Sequence, residues 1–567
     1  MASLELCRNR ILSDDYRDFV LGWNEDSFLS SLVTEEVCVQ DIPSMYRIVY
    51  IPRLIADPIT LESYNYNDIP VCLGLLDMEA LNEAGITQIQ NYPTLQLMGK
   101  GMMIGFIDTG IDYQNSVFRH IDGTTRIAAI WDQTIQSGTP PEGLAYGSEY
   151  TDSNINEALR SENPLNVVPS VDENSHGTFV ASIAAGGADP EHGFLGAAPE
   201  STIAMVKLKE AKPFTRQYHY IAEGVPCYQD TDVMLGVRYL DDLARKRGMP
   251  LVICLALGTN QGGHNGHSPL GEQLDFLSMN DGRIVVLGTG NEADKRHHFY
   301  DRIISIDEVK DIEVQVGIGV DGFLMEFWAD VPNVMAATVV SPSGEETTLL
   351  PAKDGANTVY NFVFERTRLD VDYKLYAKGT HSQLILFRFG NPAPGIWKIR
   401  IRAMELADGQ FHLWLPLTEF LSGETVFVRS NPDVTLTEPS AVRELITVGY
   451  YNGADGGLAI SSGRGYTRAG LVKPNLAAPG MNVLGAIPGN RFVTRSGSSI
   501  ATAITAGAAA LLASWSFFEL GQSLDTLQMK NMLVFGAVHQ PGIEYPNNGW
   551  GYGELNLFNT FEQLRKY

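Results

Sequence analysis

From Gly99 onward the hydrophobic positions fall into two textures. Between Gly99 and about Asn291, short and nearly continuous apolar runs alternate with segments of helical periodicity. GKGMMIGFIDTGIDY reads as a strand that ends in an acidic turn, and IAAIWDQT, STIAMVKLKEA, PLVICLALG and GRIVVLGTGN read as further strands. HGTFVASIAAGG reads as a helix. So does TDVMLGVRYLDDLARKRG, whose apolar stripe of Val233, Val237, Leu240 and Leu243/Ala244 keeps close to the helical repeat. Apolar strands without alternation, separated by helices, predict a parallel sheet buried on both faces.

The second texture runs from about Asp301 to Val428. EVQVGIGV, GFLMEFWAD, AATVVSPS, TVYNFVFE, YKLYAK, QLILFRFG, GIWKIRIRAM and FHLWLPL are short, mostly alternating runs with turns such as PAPG and ADGQ between them. Short strands at regular spacing predict an antiparallel sandwich. The α/β texture returns after about Glu438 with RELITVGYYN, a long run of small residues after Ser499, and a helix near Leu524 to Val534. We therefore expect an α/β domain in two parts, 79–300 and 431–567, with a β domain inserted at 301–430. Residues 1–78 form a separate small α+β segment, in which VCVQ and MYRIVYIP read as strands and LLDMEALNEAG as a short helix.

Composition narrows the function. The chain has 567 residues, 44% hydrophobic and 19% charged, which suits a multidomain globular protein. A formal charge of −26 argues against nucleic acid and against an anionic membrane surface as partners. Cys7, Cys38, Cys72, Cys227 and Cys254 are scattered and form no CxxC, so neither a disulfide framework nor a zinc site is expected. MASLELCRNRILSDDYRDF lacks a continuous apolar stretch, and Ala506 to Trp515 is short and alanine-rich. The expectation is no secretory signal, no membrane span and a reducing compartment of the producing cell, an unusual export route or release by lysis being the alternative.

Three residues carry the candidate chemistry. Asp108 ends the strand MMIGFI, where open α/β sheets place working residues. His176 and Ser499 each stand at the head of a predicted helix. Taken singly they read as a turn former and two caps. Together they are what acyl transfer requires: a serine hydroxyl needs a base, the base is usually histidine, and the histidine needs a carboxylate to orient it. Asp, His, Ser is one of the known chain orders for this constellation.

IGFIDTGID, SHGTFVASIAAG and SGSSIATAITAGAAALL resemble the three signature blocks of subtilisin-like serine proteases. PLVICLALG, VVLGTGNEA and VKPNLAAPG are similar to further blocks of that family, and the resemblance covers roughly residues 80–300 and 430–560. It implies a subtilisin-like fold, a mostly parallel sheet flanked by helices, and an Asp108, His176, Ser499 triad. It also implies Asn291 as side-chain donor of the oxyanion hole and Ala256, Leu257 and Gly258 as the strand that pairs with substrate. Gly258 and Gly288 to Gly290 would leave room for the side chain before the cut. Glu292 lies beside that pocket, either favouring a basic residue or as a solvated rim carboxylate. The departures are Ser498 for the usual threonine, Ala503 for proline and Asn475 for aspartate.

The resemblance further implies that residues 1–78 are a propeptide removed by autocleavage inside GLLDME, near Leu76, Asp77 and Met78, with the segment then bound in the cleft. PAPGIWKIRIRAMELADGQFHLWLP and NNGWGYGELNL resemble the clostridial branch of the family, which carries a jelly-roll insert. That branch includes spore germination proteases that activate a cortex-hydrolase precursor. It also includes pseudoproteases, so a regulatory protein with an occupied cleft is the alternative to an active endopeptidase. No cofactor is expected. His264 and His267, like His297 and His298, read as surface-loop residues rather than metal ligands, and calcium is left open for want of a loop that clusters carboxylates.

Overall fold

The structure is a computed structural model. It describes residue 10 and residues 15–22, 37–42, 46–56, 79–221, 224–350, 352–377 and 380–566. Two compact units divide the chain, Met1–Leu75 and Leu76–Tyr567. In the first, β1 (Tyr16–Gly22), β2 (Cys38–Ile42) and β3 (Tyr46–Pro52) form an antiparallel sheet in the order β1-β3-β2. Cys38–Gln40 of VCVQ lie in β2, and Tyr46–Pro52 of MYRIVYIP form β3. Phe19, Val37, Val49, Ile51 and Ala56 bury one another there. The expected cleavage residues Leu76, Asp77 and Met78 lie outside the described residues.

The second unit begins with β4 (Met103–Asp108), β5 (Ile127–Asp132), β6 (Ser148–Thr151), β7 (Thr202–Lys207), β8 (Leu251–Leu255) and β9 (Arg283–Gly288). Ten further strands follow. They are β10 (His298–Arg302), β11 (Val309–Val316), β12 (Gly322–Asp330), β13 (Val334–Val340) and β14 (Asn357–Asn361). After them come β15 (Arg368–Lys374), β16 (Ser382–Gly390), β17 (Gly395–Glu405), β18 (Gln410–Trp414) and β19 (Thr425–Phe427). The α/β part resumes with β20 (Ile446–Tyr451) and β21 (Leu476–Pro479), then the hairpin of β22 (Val483–Ile487) and β23 (Arg491–Arg495).

The central sheet runs β21-β20-β9-β8-β4-β7-β5-β6 and is parallel except where β6 meets β5. Its apolar strands are apolar throughout because both faces are covered. Ile104 and Phe106 of β4 enter one core with the helices His176–Ala185 and Ser498–Trp515. Met103 and Ile107 enter the other, with the helices Asp230–Arg247 and Pro269–Ser278. The helix at Ser499 is built of small residues because it runs through the centre: a Cβ at Gly507 would lie 2.3 Å from that of Ala197. With its continuation to Leu520 it is long and apolar enough to cross a membrane, but 89% of that window is buried inside the protein.

The inserted strands form an antiparallel sandwich of a six-stranded and a four-stranded sheet, closed over Phe327, Phe387, Phe389, Trp397 and Phe411. It begins at His298, three residues before the expected 301. The expected strand YKLYAK is displaced: RLDVDYK forms β15 instead, because it turns Leu369, Val371 and Tyr373 inward on alternate positions.

One buried seam fastens the sandwich to the α/β core, and it corrects the reading of several histidines. His264 is 1% exposed and stacks on Trp414 at 4.0 Å, with its ring nitrogens 2.8 and 3.0 Å from the carbonyls of Leu436 and Asn260. His298 also stacks on Trp414, at 4.7 Å, and its Nε2 lies 2.9 Å from Nδ1 of His412. Two buried carboxylates hold the backbone of the same loop: Glu326 accepts from the Gly262 N–H (2.9 Å) and Glu438 from the Gly266 N–H (3.2 Å). Only His267 is exposed as expected. The loop was misread because its packing partners lie far away along the chain.

Burial makes this seam sensitive to pH. Desolvation pushes His264 down to about 4 and His298 down to about 3, and it depresses His412 as well. Unfolded histidines take a proton below about 6.5, whereas these stay neutral, so the unfolded state binds more protons as the pH falls. Stability is therefore lost from about pH 6.5 downward, at roughly 1.4 kcal/mol per pH unit for each histidine. Glu438 acts in the opposite sense: burial raises it to about 7, so it stays protonated in the fold and costs stability as the pH rises from the ordinary glutamate range to about 7. Urea midpoints measured from pH 4 to 8 should show the acid limb, and His412→Gln should flatten it by about one proton. An unchanged slope in a folded His412→Gln protein would contradict the assignment.

Candidate active site

The three residues singled out in the sequence meet at the C-terminal edge of the sheet. Asp108 is the last residue of β4 and is 2% exposed. His176 opens its helix and is 30% exposed. Its Nδ1 lies 2.8 and 3.0 Å from the two Asp108 carboxylate oxygens, and its Nε2 lies 3.2 Å from Ser499 Oγ. The carboxylate can only accept, so Nδ1 carries the proton and Nε2 is free to receive one from the hydroxyl. Burial pushes the imidazole down, but Asp108, by charge and hydrogen bond, and Asp172, by charge, pull it up more strongly, so its pKa is raised overall.

Asp172 was not singled out in the sequence. It is buried and fully engaged: it accepts from Thr109 Oγ1 (2.8 Å), the Ser175 N–H (2.9 Å), the Thr178 N–H (2.8 Å) and Thr178 Oγ1 (2.6 Å). Thr109 Oγ1 in turn accepts from the Gly177 N–H (2.9 Å). This ring ties the turn after β4 to the first turn of the histidine helix. Ser175 in the ring has φ 72°, a left-handed conformation rare for non-glycine residues, held there by its neighbours. The available signal was the spacing, since an aspartate before a helix start commonly accepts from nearby backbone N–H groups.

Ser499 is the second residue of its helix, so its backbone N–H is among those that lack an intrahelical partner. The helix is entered through Gly497 at φ 154° and ψ 167°, a conformation essentially confined to glycine, and no side chain caps it. The serine pair is therefore not an N-cap, and Ser499 Oγ is left to His176. Asn291 Oδ1 accepts from the Ser498 N–H at 3.0 Å. That bond fixes the amide against the residue before Ser499, and Nδ2 has no hydrogen-bond partner among the described residues. The Ser499 N–H and Asn291 Nδ2 are thus two donors without a partner among the described residues, the second on a side chain fastened to the residue before Ser499.

Ala256, Leu257 and Gly258 continue β8 beyond its last residue and make no backbone hydrogen bond among the described residues. Among the described residues this strand edge is unpaired. Gly290 has φ 81° and packs against Thr437. Glu292 departs from expectation. It is 7% exposed, and its carboxylate is taken up by His297 Nδ1 (2.7 Å), Asn260 Nδ2 (3.2 Å) and Thr418 Oγ1 (3.1 Å). A carboxylate so engaged joins the sandwich to the core and is not a rim group that selects a basic side chain. Asn475, one of the departures noted above, serves the backbone of Thr447 and the buried Lys473 ammonium. Among the described residues no cluster of three or more His, Cys, Asp or Glu is placed to hold a metal ion.

The sequence matches the Subtilase family (Peptidase S8) over residues 99–320 and 410–553, with the interruption inside the sandwich. A solved structure of the CspB protease of Clostridium perfringens is 30% identical, covers 86% of this chain and 97% of its own, and superposes with a TM-score of 0.76. The prenylagaramide maturation protease PagA is 14% identical, over 85% of this chain and 98% of its own, with a TM-score of 0.42, and nothing is built on it. No curated protein matches. Taken with the parallel sheet and the site at its edge, these matches show that the chain belongs to the subtilase family and is a subtilisin-like serine peptidase.

Proposed function

We propose that the chain is a serine endopeptidase made as a self-processing proenzyme. The observation that carries this reading is the unbroken run of contacts from Asp108 through His176 to Ser499, with Asn291 bound to the adjoining Ser498 N–H. Ser499 Oγ attacks the scissile carbonyl while His176 Nε2 takes its proton, and Asp108 steadies the imidazolium that forms. The same proton then goes to the departing amine, and water repeats the sequence on the acyl-enzyme. The oxyanion lies between the Ser499 N–H and Asn291 Nδ2, and Ala256–Gly258 takes the substrate as an added strand.

Asn291→Ala should lower kcat by about 100- to 1,000-fold with KM little changed, because the donor serves a charge that exists only in the transition state. That range comes from a subtilisin, a member of the same family. Steady-state kinetics on one peptide substrate check it, and a loss confined to KM would contradict the role.

In this reading residues 1–78 are the propeptide, cut from the rest near Leu76 to Met78 and able to stay in the cleft. The division of the chain at Leu75/Leu76 supports it. The substrate range is narrow, with the precursor of a spore cortex hydrolase as our proposed example, and the location is cytoplasmic or spore-associated. The likeness to the CspB protease supports the peptidase activity on which this reading rests. Intact masses of the wild type and Ser499→Ala, expressed side by side, test the self-processing. The wild type should split between residues 74 and 79 while the variant stays whole, and a variant that splits alike would sink the claim.

A further inference from the structure

We propose that Thr437 closes the pocket for the side chain that precedes the scissile bond, so that this peptidase cuts after glycine, alanine or serine. The inference rests on the endopeptidase reading and deepens it. A substrate strand laid against Ala256–Gly258, with its scissile carbonyl between the Ser499 N–H and Asn291, has its position defined. The side chain next to that carbonyl must enter the gap between Gly258 and Gly290, which continue the neighbouring strands β8 and β9. Two residues without side chains on either side of the gap suggest a roomy pocket.

The gap is filled from below. A Cβ built on Gly258 would lie 2.4 Å from Thr437 Oγ1 and 2.8 Å from its Cβ, and one built on Gly290 would lie 2.5 Å from Thr437 Cγ2. The glycines therefore make room for Thr437 and leave little for substrate. Thr437 is 4% exposed and cannot swing aside. Its N–H donates to the Thr289 carbonyl at 3.1 Å, and the next residue, Glu438, pairs both ways with Thr259 at 2.8 and 3.0 Å. Its branched side chain has few rotamers. What remains accepts a hydrogen, a methyl or a hydroxymethyl group. Each further methylene forced on such a wall changes the rate of cleavage by about 10- to 200-fold.

The same wall points to the bond cut in the chain itself. In GLLDME, residues 74–79, the small residue is Gly74, so the inference moves the expected cut from Leu76–Met78 to the Gly74–Leu75 bond.

The test uses full-length wild type, Thr437→Gly, Thr437→Val and Ser499→Ala on a proteome-derived peptide library, with the cut bonds read by mass spectrometry. The wild type should cut after glycine, alanine and serine, and Thr437→Val should keep that profile because it keeps the wall. Thr437→Gly should cut after leucine, methionine and phenylalanine at least about tenfold more readily, relative to alanine, than the wild type does. Cleavage by the wild type after large residues overturns the inference, and so does an unchanged profile in a Thr437→Gly protein whose melting curve shows it folded. If Thr437→Gly does not fold, the wild-type profile decides. If the wild type cuts no more than Ser499→Ala, the endopeptidase reading itself falls and takes this inference with it.

Discussion

Ser499→Ala should lower kcat by about six orders of magnitude while leaving peptide affinity nearly unchanged, a scale set by a subtilisin of the same family. The reason is geometric. Ser499 Oγ is the group 3.2 Å from the free nitrogen of His176, and Asn291 is fastened to the residue before it. Removing the hydroxyl removes the covalent route but none of the edge at Ala256–Gly258 proposed to bind substrate. His176→Ala should cost about as much, because the hydroxyl is inert without its base, and the double variant should be scarcely worse than either single one. Three groups that act as one unit are not additive, and this distinguishes a triad from three independent contributors. The residual rate reflects water held by the surviving donors. Single-turnover kinetics on a peptide ester, with affinity measured separately, give both quantities. A Ser499→Ala protein that kept more than about 1% of wild-type kcat would remove Ser499 from the nucleophile's role.

The site was legible where chemistry coincides with the end of an element. Asp108 closes an apolar strand, and His176 and Ser499 open helices, so residue type and position marked them together. The parallel sheet was legible for a related reason: strands covered on both faces cannot alternate, and β4, β5 and β8 are buried at every position. What the sequence hid depends on contacts between distant segments. His264 looks like part of a glycine-rich loop until Trp414 and the Leu436 carbonyl are brought against it. Glu292 looks like a rim group until Thr418 arrives from the sandwich. Thr437 carries no local mark, because its effect is felt only at two glycines that precede it by more than a hundred residues. Periodicity reports which face of an element is buried, not what buries it.

Arg468→Ala should destabilise the larger unit by about 3 kcal/mol, and the effect should reach the substrate edge. Arg468 belongs to the α/β part and is 3% exposed at its side chain. Its Nη1 donates to Asp330 and its Nη2 to Ser382, both of the sandwich, while its Nε donates to the Gly263 carbonyl, each at 2.6 Å. The guanidinium also lies over the Trp328 ring at 5.7 Å. One planar group thus pins the sandwich to the loop around Gly263. Burial lowers its pKa, and Asp330 opposes that shift. Alanine would leave the Gly263 carbonyl unpaired and a void against Trp328, and such losses are rarely recovered by relaxation. Asp330 is 57% exposed and can turn to water, which places the expected cost at the lower end of the range for broken buried pairs. Arg468→Lys keeps the charge but not the three-way fork, so it should fall between alanine and wild type. The loop that Arg468 holds follows Ala256–Gly258 directly in the chain, and Thr259, between them, is paired to Glu438. Loosening the loop should therefore raise KM more than it lowers kcat, since the triad rests on β4 and on two helices that Arg468 does not touch. Urea unfolding and peptide kinetics on the same preparations separate the two effects. A destabilised Arg468→Ala protein with unaltered KM would show that the seam supports the fold without positioning the substrate edge.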